Sequence, residues 1–183
     1  NLSSLCKAHA ILMHDLVDNP GKFRTQSVGI AKGKKVTHVA PPGSRVKGLM
    51  KELFDYLKHD KEISLVKSCV FHYEFEFIHP FMDGNGRMGR LWQNVILTEY
   101  NAVFGFLPLE TLIKARQKNY YEALAKSDKL GHSTPFIEFM LDVIHEALRE
   151  VVAGQNKTVT TNERIEIFAE CVGSKRFCRK DYL

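Results

Sequence analysis

Long hydrophobic runs are missing from this 183-residue chain. No stretch of about 18 uncharged apolar residues occurs, so no transmembrane helix is expected. The segment that follows Asn1 also lacks the succession of basic, apolar and small residues that marks a signal peptide. Neither membrane insertion nor export is supported, and we expect a cytoplasmic protein.

Cysteine is scarce, and no two cysteines form a CxxC pair. The four are Cys6, Cys69, Cys171 and Cys178. Cys69 lies within an apolar run, where a thiol packs as a small hydrophobic side chain. We therefore expect reduced thiols rather than a disulfide framework or a structural zinc site.

A GxxxxGK[ST] sequence is also absent, which excludes a Walker-type NTPase. The composition is that of a globular protein, with 44% hydrophobic and 26% charged residues. A net charge of +5 suits a protein that binds nucleic acid, nucleotide phosphates or an acidic partner. Charge alone does not choose among these three classes.

Helical periodicity dominates the chain and predicts an all-α fold, a compact helical bundle. One segment, residues 71–77, alternates like a strand but also fits a helix face, and its length favours the helix. The predicted helices cover about 2–17, 46–57, 62–78, 86–100, 112–129 and 134–154.

The stretch from Phe23 to Val39 departs from helical periodicity. Its apolar residues flank Gly33-Lys34-Lys35, a pattern typical of a small β-hairpin with an exposed tip. We therefore predict one hairpin beside the helices.

A change of composition near residue 154 predicts two parts, a domain at 1–154 and a linker with an appendage at 155–183. Thr160 and Glu163 have the spacing of a capping box that would begin a short helix. The segment resembles the opening of a winged helix-turn-helix, so DNA is one candidate partner of the appendage.

The segment from His79 to Arg90 reads HPFMDGNGRMGR and predicts an anion site. Gly84-Asn85-Gly86 permits positive φ and opens a helix, whose first N–H groups and partial positive charge favour a phosphate. Arg87 and Arg90 fall one turn apart on the same face, where two guanidinium groups can grip adjacent phosphates.

Two further side chains of this segment suit phosphoryl-type transfer. Asp83 offers hard oxygen ligands for Mg²⁺ between phosphates, and a neutral imidazole at His79 can accept the proton of an attacking hydroxyl. Each residue alone is more often a turn or surface residue. Together, within a dozen positions, they indicate a site where a phosphate centre is attacked in line.

The same segment resembles the signature of the Fic/Doc family, HPFx[D/E]GNGRxxR, and every specified position matches. Pro20-Gly21-Lys22-Phe23-Arg24 resembles the family's PGxFR turn, and Tyr120-Tyr121 resembles a paired tyrosine seen in many members. The resemblance covers about residues 2–154. It implies a compact, mainly helical Fic core with a β-hairpin flap.

The resemblance also implies roles within the motif. His79 would be the base that deprotonates the target's hydroxyl, and Asp83 would bind Mg²⁺ on the nucleotide. Phe81 would pack inward, and Gly84, Asn85 and Gly86 would form an anion hole. Arg87 would hold one phosphate, while Arg90 would hold the outer phosphate of ATP.

Outside the motif, Tyr120, Tyr121 and Asp128 would line the pocket for the base and ribose. Asp128 departs from the family's pattern, in which an amide is more familiar, and core packing is the alternative for the two tyrosines. The flap, about residues 35–40, would pair with an extended segment of the target protein by strand addition.

By this resemblance the chain is a protein adenylyltransferase that moves AMP from ATP-Mg²⁺ onto a Tyr, Thr or Ser hydroxyl of a target protein. The same site leaves open transfer of another nucleotide or of phosphocholine, and removal of AMP. Phosphotransfer is disfavoured, because Gly86 stands near the position where that branch usually has lysine. A DNA-binding regulator with a non-catalytic core is the alternative from another class.

The family's inhibitory pattern, [S/T]xxxE[G/N], does not occur in this chain. Glu163 is followed by Arg164, and Val159 stands where Ser or Thr would be required. We therefore expect restraint, where it exists, from an inhibitory helix or an antitoxin outside this chain. A homodimer is left open.

Overall fold

The computed structural model describes residues 1–32 and 35–155, without the side chains of residues 30–38, 154 and 155. Contacts divide the chain into one unit at Asn1–Ala147 and another at Leu148–Leu183. Every residue of the candidate site belongs to the first unit. Apart from residue 155, the predicted appendage lies outside the described residues, so the division at residue 154 stays a prediction.

Helices account for most of the described chain, and the predicted mainly helical fold is confirmed. None of the described helices is both long and apolar enough to cross a bilayer. A 3₁₀ turn at Ala102–Phe106 follows the fourth helix. The helices are α1 (Leu2–Leu12), α2 (Gly43–His59), α3 (Ser64–Ile78), α4 (Asn85–Tyr100), α5 (Leu109–Ala115), α6 (Gln117–Leu130) and α7 (Thr134–Gln155).

Two predicted helix bounds were wrong. The first helix ends at Leu12 rather than residue 17, with Met13 as its C-cap. A continuation to residue 17 is prevented by Asp15, whose φ of 60° does not fit a right-handed helix. The predicted helix at 112–129 is two helices, α5 and α6, joined at Arg116. The Arg116 guanidinium bonds to Glu146 at 2.9 Å, a tertiary contact that sequence periodicity does not reveal.

Two short strands, β1 (Gly29–Lys32) and β2 (Lys35–Val39), pair antiparallel within the segment where the sequence predicted a hairpin. The register is irregular between Ile30 and Ala31. Strand β2 also contacts helix α6. The hairpin therefore lies beside one of the helices that carry predicted site residues.

The core is built around α3, which is buried on several sides and packs against α2 and α4. This enclosure explains why its sequence fits both strand alternation and a helix face. Burying each large apolar side chain contributes about 1.5–3 kcal/mol, which fixes α3 against α4. The main buried cluster comprises Leu5, Val46, Met50, Leu53, Phe71, Phe75, Ile78, Phe81, Met88 and Trp92.

Two of the four cysteines lie within the described residues. Cys69 is buried and Cys6 half-buried, and both are free. Burial raises the pKa of the Cys69 thiol to about 11, as expected for an inert side chain that packs in the core. Cys171 and Cys178 lie outside the described residues.

Candidate active site

The loop between α3 and α4 makes two left-handed turns. His79 caps the C-terminus of α3 with φ 49° and ψ 61°, a conformation uncommon for any residue other than glycine. Gly84 caps the N-terminus of α4 with φ 79°, and a Cβ there would lie 2.6 Å from the sulfur of Met13. The two turns bring the chain directly from one core helix into the next.

Arg24 binds the carbonyl groups that α3 leaves unpaired at its C-terminus. Its Nε donates to the His79 oxygen at 2.6 Å and its Nη2 to the Ile78 oxygen at 2.9 Å. The Arg24 main-chain N–H donates to the Pro80 oxygen at 2.9 Å. Three consecutive carbonyls are therefore held by one residue that is only 3% exposed.

The same guanidinium also binds both chain segments that flank the hairpin. Nη1 of Arg24 donates to the Gln26 oxygen at 2.6 Å, and Nη2 donates to the Pro41 oxygen at 2.7 Å. In the sequence Arg24 was noted only as the last residue of the PGxFR turn. Its hydrogen-bonding role depends on tertiary contacts, for which the sequence carries no local signal.

His9 supports the loop from the side of α1. Its Nδ1 accepts from the Gly21 N–H at 2.8 Å, so Nε2 carries the hydrogen and donates to the Asp83 main-chain oxygen at 3.0 Å. The ring also stacks on Phe81, with centroids 3.7 Å apart. Burial lowers the pKa of His9, which favours the neutral ring that both hydrogen bonds require.

Asn85 closes the loop with its side chain. Its Oδ1 accepts from the Phe81 N–H at 2.9 Å, and its Nδ2 donates to the Phe81 oxygen at 2.8 Å. Phe81 is fully buried, as the resemblance implied. The Asn85 side chain is thus engaged inside the loop, which leaves its main-chain N–H as the group that can face an anion.

The first turn of α4 presents main-chain donors. Its first helical bond runs from the Met88 N–H to the Gly84 oxygen, so the N–H groups of residues 85–87 have no acceptor within the helix. The Gly84 N–H is engaged by the Asp83 carboxylate at 2.6 Å. With the helix dipole, the three amides of residues 85–87 form a surface suited to a phosphate.

Arg87 and Arg90 line one cleft of about 390 Å³ along α4, which also includes Asn94 and Leu109. In this cleft the Nε of Arg90 donates to Glu110 at 3.0 Å. The pair lies near the surface, with the Arg90 side chain 25% and the Glu110 side chain 73% exposed. Glu110 lies on α5, and its contact with Arg90 has no signal in the sequence.

Asp83 lines a different cleft, of about 690 Å³, together with Asn19, Lys22 and Met82. The structure thus brings the two arginines into one cleft and places the carboxylate in another. The joint action of His79, Asp83 and the arginines on one ligand remains a prediction.

The Asp83 carboxylate suits a magnesium ion that has few protein ligands. The part of the chain that the structure describes contains no group of three or more His, Cys, Asp or Glu ligands. Mg²⁺ commonly binds through one or two carboxylates while phosphate oxygens and waters complete the shell. The exposed Asp83 carboxylate therefore fits an ion that arrives with a nucleotide, rather than an ion caged by protein ligands.

Tyr120 lies inside the core, 4% exposed, with its hydroxyl 3.1 Å from His72 Nε2. The other ring nitrogen, Nδ1, donates to the Gln93 side-chain oxygen at 2.7 Å, so Nε2 accepts from Tyr120. Burial lowers the pKa of His72 to about 4, so this ring is neutral. The geometry supports the core-packing alternative for Tyr120.

The other two residues predicted for a nucleotide pocket are more accessible. Tyr121 is 49% exposed, and its ring lies 5.3 Å from that of Tyr120. Asp128 is half-buried and accepts from the Tyr73 hydroxyl at 3.0 Å. Both lie on α6, the helix that contacts β2, and their contact with a nucleotide stays a prediction.

The sequence profile of the Fic/DOC family matches residues 1–97. A probable protein adenylyltransferase of Aquifex aeolicus (strain VF5) is 32% identical over an alignment of 159 residues that covers 78% of this chain and 49% of that protein. The protein adenylyltransferase Fic of Drosophila willistoni is 30% identical over 131 residues, 70% of this chain and 24% of that protein.

Solved structures show the same fold. A Fic family protein from Desulfovibrio desulfuricans G20, known from a crystal structure, is 44% identical in sequence and matches with a TM-score of 0.82. The match covers 100% of this chain and 55% of that one. Fic-1 (residues 134–508) from C. elegans is 23% identical with a TM-score of 0.66, covering 86% and 45%. The chain thus spans half or less of the length of these two curated relatives.

Proposed function

Because the chain belongs to the Fic/DOC family, we propose that it is a protein adenylyltransferase, which moves AMP from ATP to a Tyr, Thr or Ser hydroxyl of a target protein. The observation that carries the proposal is the first turn of α4. There, main-chain amides without helical acceptors lie beside two arginines that share a cleft. The names of the curated relatives support the same activity.

ATP binds along this turn. The phosphate chain accepts from the amides of residues 85–87, Arg87 holds one phosphate, and Arg90 holds the outer phosphate. Since Arg90 is paired with Glu110, the outer phosphate takes the place of that carboxylate. Asp83 would hold the Mg²⁺ of the nucleotide, and that ion would supply positive charge against the phosphates.

The transfer is an in-line displacement at the α-phosphorus. The target's hydroxyl oxygen forms a bond to that phosphorus while the bond to the bridging oxygen breaks and pyrophosphate leaves. His79 accepts the hydroxyl proton. The loop contacts of Arg24, His9 and Asn85 hold the main chain around this histidine before any substrate binds, so little reorganisation accompanies the reaction.

The target segment docks on the hairpin, at residues 35–40, by adding a strand. Three further partners stay predictions of the sequence: an inhibitory helix or antitoxin, a second copy of the chain, and DNA at the appendage. The cytoplasmic location is likewise a prediction.

The test uses Mg²⁺, a cell lysate and ATP labelled at either the α or the γ phosphate. Adenylyl transfer leaves label on protein only from the α position. Label from the γ position would indicate phosphotransfer. If neither form of ATP labels protein but another labelled nucleotide or CDP-choline does, the transferred group is not AMP. Either result contradicts the proposal.

Variants at His79 test its role as base. His79→Ala is expected to lower transfer at least about 100-fold, the lower range for loss of a general base. His79→Asn is the matched control for the main chain, since asparagine tolerates the left-handed conformation but is not a base. We expect both variants to show this loss of transfer while ATP binding, measured by calorimetry, persists. An active Asn variant would remove His79 from the mechanism.

A further inference from the structure

Glu76 is a buried carboxyl group that the proposed reaction leaves without a role. It lies in the last turn of α3, with its side chain 11% exposed. Its Oε1 is buried and has no hydrogen-bond partner among the described residues. A buried carboxylate without a partner is strongly unfavourable, so this group requires either a proton or a nearby positive charge.

His72 does not supply that charge. Its Nε2 lies 3.9 Å from Glu76 Oε1, beyond hydrogen-bond distance. The same nitrogen accepts from the Tyr120 hydroxyl, and the ring is neutral because burial lowers its pKa. His72 therefore offers Glu76 neither an N–H group nor a positive charge.

Arg90 is the cation that faces Glu76. A Cβ placed on Gly86 would lie 3.3 Å from Arg90 Nη1 and 3.6 Å from Glu76 Oε1, so both groups border the same gap. A Cβ on Gly89 would lie 3.0 Å from the same carboxyl oxygen. Two glycines on one face of α4 thus leave the space in which the carboxyl group of α3 approaches the guanidinium.

Two carboxyl groups therefore lie near the Arg90 guanidinium, one in direct contact and one across the gap at Gly86. Glu110 binds Nε from the cleft and is largely exposed, whereas the Glu76 oxygen is buried beneath α4. A phosphate that enters the cleft can replace Glu110. It cannot replace Glu76, which the cleft does not reach.

We propose that Glu76 is a positioning residue for Arg90, whose carboxylate directs the guanidinium toward the outer phosphate of a bound nucleoside triphosphate. The inference rests on the proposed function, which assigns the outer phosphate to Arg90. It identifies Glu76 as a determinant of preference for a triphosphate over a monophosphate, because AMP lacks the phosphate that Arg90 would hold.

The groups around Glu76 define a pH dependence. His72 from α3 is neutral, Tyr120 from α6 is neutral because burial raises its pKa, and Arg90 from α4 is charged. Burial raises the pKa of Glu76 to about 7, and Arg90 opposes that rise. The preference for ATP over AMP is therefore expected to increase as the pH rises through about 7.

The experiment measures the binding of ATP and AMP, with Mg²⁺, by calorimetry between pH 6 and 8.5 in wild type and Glu76→Gln. Glutamine keeps the size of the side chain and removes its charge. We expect the preference for ATP to fall about tenfold at high pH, as for loss of one charge-assisted contact, and to lose its pH dependence. AMP affinity should change less than about twofold, which serves as the control for folding.

Gly89→Ala is a second variant, whose Cβ would crowd the Glu76 carboxyl group and the neighbouring His72 ring without removing the charge of Glu76. It is expected to lower the preference for ATP in the same direction and by less. An unchanged or increased preference in Glu76→Gln overturns the inference. If that variant does not fold, an unchanged preference in Gly89→Ala overturns it instead.

Arg90→Ala separates this inference from the proposed function. Wild-type transfer of the α label, with an ATP preference that Arg90→Ala removes and Glu76→Gln leaves intact, contradicts only the role of Glu76. A wild type that transfers no label and binds ATP no better than AMP contradicts the proposed function as well.

Discussion

The loop before α4 and the arginine cleft beside α4, which the proposed function assigns to one site, are held in different ways. In the loop, the side chains of His9, Arg24 and Asn85 are buried and bind main-chain groups. In the cleft, Arg90 makes an ion pair with Glu110 near the surface. The contrast indicates that the main chain is set before a ligand binds, while the charges can exchange partners.

The largest effect is expected for Arg24→Ala, which removes the guanidinium from four carbonyl groups. We expect the free energy of unfolding to fall by at least about 3 kcal/mol, since bonds to charged groups contribute about 1.5–3 kcal/mol each and are not additive. Denaturant unfolding measures this. Arg116→Ala, which breaks a surface pair with Glu146, is the control and should cost about 1 kcal/mol or less. Equal losses in the two variants would contradict the contrast.

The next effect is on the pH dependence of stability, through two buried groups of opposite sign. Burial lowers the pKa of His72 from 6.5 to about 4, so its contribution to stability is present above pH 6.5 and is lost as the pH falls. Burial raises the pKa of Glu76 from 4.5 to about 7, so its contribution is present below pH 4.5 and is lost as the pH rises through 7. Between pH 4.5 and 6.5 the two contributions oppose each other.

Glu76→Gln removes one of these opposing contributions, so only that of His72 should remain in the variant. In wild type we expect the free energy of unfolding to change little between pH 4.5 and pH 6.5. In the variant it should fall on acidification by up to about 1.4 kcal/mol per pH unit, the value for one proton. Denaturant unfolding at several pH values measures both slopes, and parallel slopes would show that Glu76 is not protonated in the folded state.

Asn85→Ala tests the buried amide that closes the loop. Its loss leaves the Phe81 N–H and oxygen without their partner, so we expect a cost of about 2 kcal/mol. Asn101→Ala is the matched control, because the Asn101 side chain binds the Val103 N–H at the surface. That exposed cap should cost about 1 kcal/mol or less. If thermal unfolding ranks the two in the opposite order, the loop is less constrained than its contacts indicate.

The smallest effect is expected for Glu110→Gln in the cleft. Removing the carboxylate from Arg90 should strengthen ATP binding by about two- to fivefold, the range for an exposed ion pair, and leave AMP binding nearly unchanged. Glu146→Gln removes a similar carboxylate from Arg116 and should alter neither affinity. Weaker ATP binding in Glu110→Gln would mean that Glu110 assists the nucleotide rather than competing with it.

Sequence periodicity predicted the type and order of the helices but not where the chain would break. The break at Arg116 is accompanied by contacts with Glu146 and the Phe139 ring, which lie more than twenty residues away. The left-handed conformation at Asp15 is not indicated by a proline or a glycine at that position. In both cases tertiary contacts or a local conformation overrode the periodicity of apolar residues.

Only part of the candidate site could likewise be predicted from the sequence. His79, Asp83 and the residues from Gly84 to Arg90 were predicted because they are adjacent in the sequence. The side chains that hold them, among them His9 and Arg24, come from distant segments and resemble ordinary polar residues. Tyr120 is the opposite case. The resemblance predicts a role in the nucleotide pocket, but the structure places its hydroxyl in a hydrogen bond with His72 inside the core.

The contacts of Arg24 have a mechanical consequence under the proposal that a target docks on the hairpin. The Arg24 guanidinium donates hydrogen bonds to the main-chain oxygens of Gln26, before the hairpin, and of Pro41, after it. The same group also binds the main-chain oxygen of His79. Under the proposed function, a displacement of the hairpin by a docking peptide would reach the His79 main chain through the Arg24 guanidinium, so target binding would be coupled to the position of the imidazole.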